Sequence, residues 1–215
     1  MKLDSQSLLL YAVTDRTWNK NNSLSEQVEK CLKGGVTLLQ LREKHLDYET
    51  FLSEAQNIKK LCKKYRIPFI INDNVDIAIA CNADGIHVGQ EDTPADIIRS
   101  KIGNKILGVS VKTVEEALLA EKNGADYLGV GAVFPTSVKP DAIIITYSTL
   151  KDICQAVSIP VVAIGGISAN NIRQLKGTGI DGVAVVAGIF GQPDITKATR
   201  NMLKLTQEIV IGGNS

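Results

Sequence analysis

A chain of 215 residues with 24 Lys and Arg against 23 Asp and Glu carries a formal charge of +1, so bulk electrostatics favour neither nucleic acid nor a membrane surface as partner. Its 44% apolar share and near-zero mean hydropathy are those of a soluble protein with a sizeable core, and the length suits one α/β barrel. No apolar run approaches the ~18 residues of a membrane span, and the scattered Cys31, Cys62, Cys81 and Cys154, without metal-ligand spacing, read as small hydrophobes in a reducing compartment.

The opening "MKLDSQSLLLYAVTD" runs into a first strand, "LLLYAV", and not into a signal peptide, so a cytoplasmic chain is expected. "SLSEQVEKCLKGG" then puts Leu24, Val28, Cys31 and Leu32 at helical spacing, with Ser25 as cap and Gly34 as stop. "VTLLQL", "PFIIN", "GIHVG" and "ILGVSV" follow as buried strands, and the unit joining the last two reads as compact. "TVEEALLAEKNGAD" repeats the helix pattern, with Gly124 ending it and Asp126 opening the strand "DYLGVG". "TYSTLKDICQAVSIP" leads as a helix into "PVVAIGG", and "SANNIRQLKGTGID", with Ser168 as cap and Gly179 in its closing turn, leads into "DGVAVVA". "NMLKLTQEIVIGGNS" reads as a last helix with a frayed end from about residue 210.

Strands alternating with helices imply parallel pairing through right-handed crossovers. Eight such units predict a closed (β/α)₈ TIM barrel, one domain over residues 1–215, with no linker or shift of composition inside it. A doubly wound open sheet would want a Gly-rich fingerprint after the first strand, and "YAVTDRTW" offers none. In such barrels the active site lies at the C-terminal ends of the strands, so the residues after each apolar run carry the chemistry.

Many of those residues are polar or charged, and several are cationic. Strand alternation puts Gln40, Arg42 and Lys44 on one face, and an Arg fork beside an ammonium suits a phosphate or diphosphate. The bland alternative is a surface pair between Arg42 and Glu43. Asp73 and Asp92 end adjacent strands, and two carboxylates suffice for Mg²⁺, which keeps several waters. Each Asp alone would be an ordinary turn residue.

"GVGAVFPTSVKPD" delivers Thr136, Ser137 and Lys139 on a loop that reads as an anion clamp or lid, unless it is a plain surface connection. Gly165 and Gly166 after the seventh strand, with the backbone N–H groups near Val186 and Ala187 after the eighth, match the phosphate site that recurs in these barrels. His87 reads as a satisfied core histidine and His45 as a loop residue. No Cys or Ser is paired with a His as a nucleophile. Two anion devices without a nucleophile point to positioning and electrostatic stabilisation of phosphorylated small molecules.

Taken together, "YAVTD", "LLQLREK", "PFIINDNVDIA", "ADGIHVGQED", "ILGVS", "DYLGVGAVFPTSVK", "VVAIGGI" and "DGVAVVAGI" resemble the thiamine-phosphate synthase (thiamine-phosphate pyrophosphorylase) family, in order, from about Tyr11 to Ile189. The resemblance implies a transferase that joins a hydroxymethylpyrimidine diphosphate to a hydroxyethylthiazole phosphate, giving thiamine phosphate and diphosphate. The carbon–oxygen bond would break first, leaving a pyrimidine carbocation for the thiazole nitrogen to capture. It further implies that Gln40, Arg42, Lys44, Asn72, Ser110 and Lys139 hold the pyrimidine diphosphate. Of these, Arg42, Lys44, Ser110 and Lys139 would act in catalysis.

On the same resemblance Asp73 and Asp92 hold Mg²⁺, while Thr136, Ser137, Val138, Gly166, Val186 and Ala187 receive the thiazole phosphate. The family often has Thr where this chain has Val138 and Ser where it has Ala187, so two hydroxyls are missing from that end. A related thiazole tautomerase on the same barrel, and a catalytically silent sensor of a phosphorylated metabolite, are the rival readings. Intact Asp73, Asp92 and Lys44 speak against the tautomerase, and intact Arg42, Asp73, Asp92 and Lys139 against the sensor. Nothing in the sequence decides between a monomer and a homo-oligomer.

Overall fold

Runs of four to six residues rich in Val, Ile and Leu are too short for helices and fit strands buried on both faces. In the computed structural model, which describes residues 5–18, 22–138 and 142–211, each becomes a parallel strand. They are β1 (Leu10–Val13), β2 (Leu38–Leu41), β3 (Phe69–Asn72), β4 (Gly85–Val88), β5 (Ile106–Val111), β6 (Tyr127–Gly131), β7 (Val161–Ile164) and β8 (Gly182–Val185). Each strand pairs with the next, and β8 returns to β1 through Tyr11 opposite Ala184, closing the barrel.

Alternation splits each strand between two cores. Tyr11, Val13, Leu38, Ile70, Ile106, Tyr127, Val162 and Ala184 pack with one another as one cluster, the filling of the ring. Their neighbours Leu10, Ala12, Leu39, Leu41, Phe69, Ile71 and Val183 belong to a second, larger cluster under the helices. Full burial of one such Leu, Ile or Val is worth about 1.5–3 kcal/mol, so a register slip that exchanged the faces would be costly.

The outer layer comprises α1 (Leu24–Gly34), α2 (Tyr48–Tyr65), α3 (Val75–Ala80), α4 (Ala95–Ile102), α5 (Val114–Lys122), α6 (Tyr147–Ala156), α7 (Ala187–Phe190) and α8 (Ile195–Val210). No described helix is long and apolar enough to cross a membrane. Cys31, Cys62 and Cys81 are buried and Cys154 is partly so, all four as free thiols. The frayed end expected from about residue 210 falls largely on 212–215, outside the described residues.

Several local expectations are corrected. The cap of α1 is Ser23 and not Ser25: its hydroxyl accepts from the Glu26 N–H while the Glu26 carboxylate accepts from the Ser23 N–H. Gly35, at φ 97°, is the left-handed stop, whereas Gly34 closes the helix against Thr199 of α8. "SANNIRQLKGTGID" forms only a 3₁₀ turn at Ile172–Leu175, preceded by Asn171 and not capped by Ser168. Its Gly177 and Gly179 sit at φ 82° and 91°, which ends any helix there. The most compact unit joins β3 to β4 through the six residues of α3, not β4 to β5.

Candidate active site

Parallel strands with common polarity deliver every strand end to one rim. Register carries Gln40 of β2 opposite Ile70 of β3, and Asn72 of β3 opposite His87 of β4. Ser110 of β5 lies opposite Gly129 of β6. Gln40, Asn72 and His87 are buried, and Arg42, two residues past Gln40, continues the same face at a quarter exposed.

The first half of the rim is ionic. Lys44 donates to Oδ2 of Asp73 at 2.5 Å, tying the β2 and β3 ends together. Asp92, after β4, accepts the Gly89 N–H at 2.7 Å. Burial, and then the neighbouring Asp73 carboxylate, holds the Asp92 carboxyl above the usual carboxylate range. Asp73 itself adopts φ 59°, a left-handed backbone that side-chain-bearing residues rarely take, and its N–H is fixed by the His87 carbonyl at 2.8 Å. Lys44, Asp73 and Asp92 therefore form one interacting group.

Arg42 stands beside them, its Nη1 donating to Asp15 at 3.0 Å and its backbone N–H to the Thr14 hydroxyl at 3.0 Å. The expected alternative pairing with Glu43 does not form, because Glu43 turns to Arg16 at 2.7 Å. Among the described residues no three His, Cys, Asp or Glu side chains gather as a ligand set. The oxygen donors fit a hard divalent ion on other grounds: two adjacent carboxylates repel each other, one is already held above its ordinary protonation range, and Mg²⁺ needs few protein ligands.

The second half of the rim is backbone. Gly166 sits at φ 65°, and a Cβ there would overlap the carbonyls of Pro135 and Phe134, so the glycine lets the β6 loop lie against the β7 end. The Phe134 N–H donates to the Gly165 carbonyl at 3.1 Å, and Asn171 ties the Gly166 carbonyl at 2.9 Å. Thr136 accepts from the Val138 N–H at 3.2 Å, folding the loop back on itself, and Ser137 is exposed. At the β8 end Val186 precedes α7, and Gly188 lies so close to the Ile167 carbonyl that a Cβ there would press on it at 2.8 Å. Lys139 lies outside the described residues.

Three features escaped the sequence reading. Asp15 is the partner of Arg42, 27 residues away. Asn171 braces the glycine pair. Beneath the rim, His87 is buried as expected of a core histidine, but it also bonds Ser110 through Nε2 at 2.8 Å and Tyr127 through Nδ1 at 2.9 Å. Open clefts elsewhere, about 590 Å³ beside Arg16 and Glu54 and about 620 Å³ beside Trp18 and Asp194, include none of the expected site residues.

This architecture has close parallels. A sequence model of the family described as thiamine monophosphate synthase matches residues 10–189. A thiamine-phosphate synthase of Clostridium tetani is 54% identical over 194 residues, spanning 90% of this chain and 93% of that protein. Thiamine-phosphate synthase 2 of Streptococcus pneumoniae is 46% identical, spanning 97% of this chain and 100% of its own. The solved structure of thiamine phosphate pyrophosphorylase from Pyrococcus furiosus superposes with a TM-score of 0.89 at 40% identity, over 96% of this chain and 98% of that one. With most of its length matched in sequence and its barrel matched in space, the chain belongs to the thiamine-phosphate synthase family.

Proposed function

We propose that this chain, as a single barrel domain, carries out the reaction of its family: it joins 4-amino-2-methyl-5-(diphosphooxymethyl)pyrimidine to 4-methyl-5-(2-phosphooxyethyl)thiazole. The thiazole nitrogen forms a bond to the pyrimidine's exocyclic carbon, the carbon–oxygen bond to diphosphate breaks, and thiamine phosphate and diphosphate leave. The observation that carries the assignment of roles is the convergence of Lys44, Asp73 and Asp92 beside Arg42 at the strand ends.

Arg42 and Lys44, together with Lys139, hold the diphosphate. Their charges sit where negative charge grows as the carbon–oxygen bond lengthens, and so lower the barrier of a dissociative displacement. Asp73 and Asp92 hold Mg²⁺, which supplies further neutralisation of the leaving diphosphate when bound. Gln40, Asn72 and Ser110 orient the pyrimidine. Thr136, Ser137, Val138, Gly166, Val186 and Ala187 receive the thiazole phosphate, largely through backbone N–H groups. Holding both partners in line replaces a bimolecular encounter by a preoriented one.

Mixing both substrates with Mg²⁺ and following thiamine phosphate by chromatography tests the reading. Product formed only when both substrates are present supports it. No product rejects it, and conversion of a thiazole tautomer in its place would point to an isomerase.

A further inference from the structure

Inside the ring, under the rim, five side chains from five strands touch in series. Gln40 Nε2 donates to the Tyr11 hydroxyl at 2.5 Å, and the Tyr11 and Tyr127 hydroxyls lie 2.8 Å apart. Tyr127 reaches His87 Nδ1 at 2.9 Å, and His87 Nε2 reaches the Ser110 hydroxyl at 2.8 Å. The three rings stack edge-on or tilted, with centroids 5.4–6.4 Å apart. The fold makes room for them: a Cβ on Gly108 would overlap both the Tyr127 hydroxyl and His87 Nδ1. Another on Gly129 would press His87 Cε1 at 3.0 Å. Both ends of the series are residues already placed at the substrate.

Gln40, Tyr11, Tyr127 and His87 are at most 6% exposed. A buried hydroxyl without water must give its one proton to a neighbour, so the sense of one bond decides the sense of the next. An amide nitrogen can only donate. With Gln40 giving to Tyr11, the Tyr11 proton goes to Tyr127 and the Tyr127 proton goes to Nδ1. Nε2 then carries the imidazole proton and gives it to Ser110. Chemistry favours the same direction, since the bare imidazole nitrogen binds the more acidic phenol more strongly than the alcohol.

Resting on the synthase reading for the identity of the substrate, we propose that this series is a one-way relay. It locks His87 as its Nε2–H tautomer, so that the Ser110 hydroxyl faces the pyrimidine diphosphate as a hydrogen-bond donor. His87 and Tyr127 are thus positioning residues that act through Ser110. An amide at Gln40 turned by 180° would reverse all four bonds, place the proton on Nδ1 and leave Ser110 an acceptor.

The tautomer can be read without substrate. The chain has two histidines, so ¹⁵N-histidine labelling gives two imidazole spin systems, with His45→Gln identifying the signals of His87. The expected pattern near pH 7.5 is a protonated, pyrrole-type Nε2 and a bare, pyridine-type Nδ1. A protonated Nδ1, or averaging between the two forms, overturns the relay. In Tyr127→Phe the fold persists by circular dichroism, the tautomers mix, and kcat/KM for the pyrimidine diphosphate falls about tenfold, the worth of one hydrogen bond. An unmixed tautomer in that variant, or unchanged kcat/KM, also overturns it. A wild-type chain with the Nε2–H form that makes no thiamine phosphate would sink the reaction and leave the tautomer lock standing.

Discussion

Asp73 bears three constraints at once: a left-handed backbone at φ 59°, an ammonium at 2.5 Å and a second carboxylate in Asp92. If the pair holds Mg²⁺, Asp73→Ala and Asp92→Ala each lower turnover by about 10²-fold or more with the fold intact. Steady-state rates across Mg²⁺ concentrations decide this, and unchanged metal dependence in both variants refutes the ligand assignment. The proton linkage of Asp92 has a definite sign. Its folded-state pKa is raised, so its contribution to stability is full below the ordinary aspartate range and is lost as pH rises through the raised value. Asp92→Asn is therefore expected to melt higher at neutral pH while losing activity, a trade of stability against function readable by calorimetry.

At the other half of the rim, Val138→Thr and Ala187→Ser restore the absent hydroxyls. Each is expected to lower the KM for the thiazole phosphate, by up to about tenfold. No change in either would make backbone N–H groups the sufficient receptor.

At the scale of elements, strands are legible because burial on both faces writes them as unbroken apolar runs, as in "ILGVSV", which becomes β5 at Ile106–Val111. Helix boundaries are less so. Two serines precede or open the apolar stripe of α1, and only the reciprocal bond with Glu26, three residues after Ser23, chooses between them. Ser23→Ala should therefore cost about 1 kcal/mol, visible in the urea midpoint, whereas Ser25→Ala should cost little. The stretch after β7 misled for a physical reason: Asn171 spends its side chain on the Ser168 N–H and the Gly166 carbonyl, and two positive-φ glycines follow. The acidic pair and the Gln40–Arg42–Lys44 face were legible because charge directly after a buried strand must emerge at the open end of the barrel, where it can stay solvated or meet a ligand. The Arg42–Asp15 bond and the Tyr11–Tyr127–His87 series were not, since long-range partners leave no local pattern and an inward tyrosine reads as one more apolar residue.

Across the whole molecule, a buried imidazole makes the barrel sensitive to acid. His87 is pushed down to about 4 by burial, so it supports the fold above its ordinary range near 6.5 and withdraws that support as pH falls toward 4. The loss is of order 3 kcal/mol between those limits. Urea unfolding at pH 7 and pH 4.5 should show it, and His87→Gln should flatten the part of the slope that belongs to this residue.

The pairing of β8 with β1 carries one more consequence. Each inner strand edge is satisfied by its successor in the chain, but the free edge of β1 waits for the last strand to be synthesised. On the ribosome β1 to β7 can only form an open, curved sheet with unpaired backbone N–H and C=O groups along both edges. Arg42, Lys44, Asp73 and Asp92, which follow β2, β3 and β4, emerge early, and Ser110 of β5 comes after them. The ring that aligns them shuts only after Val185 has cleared the exit tunnel.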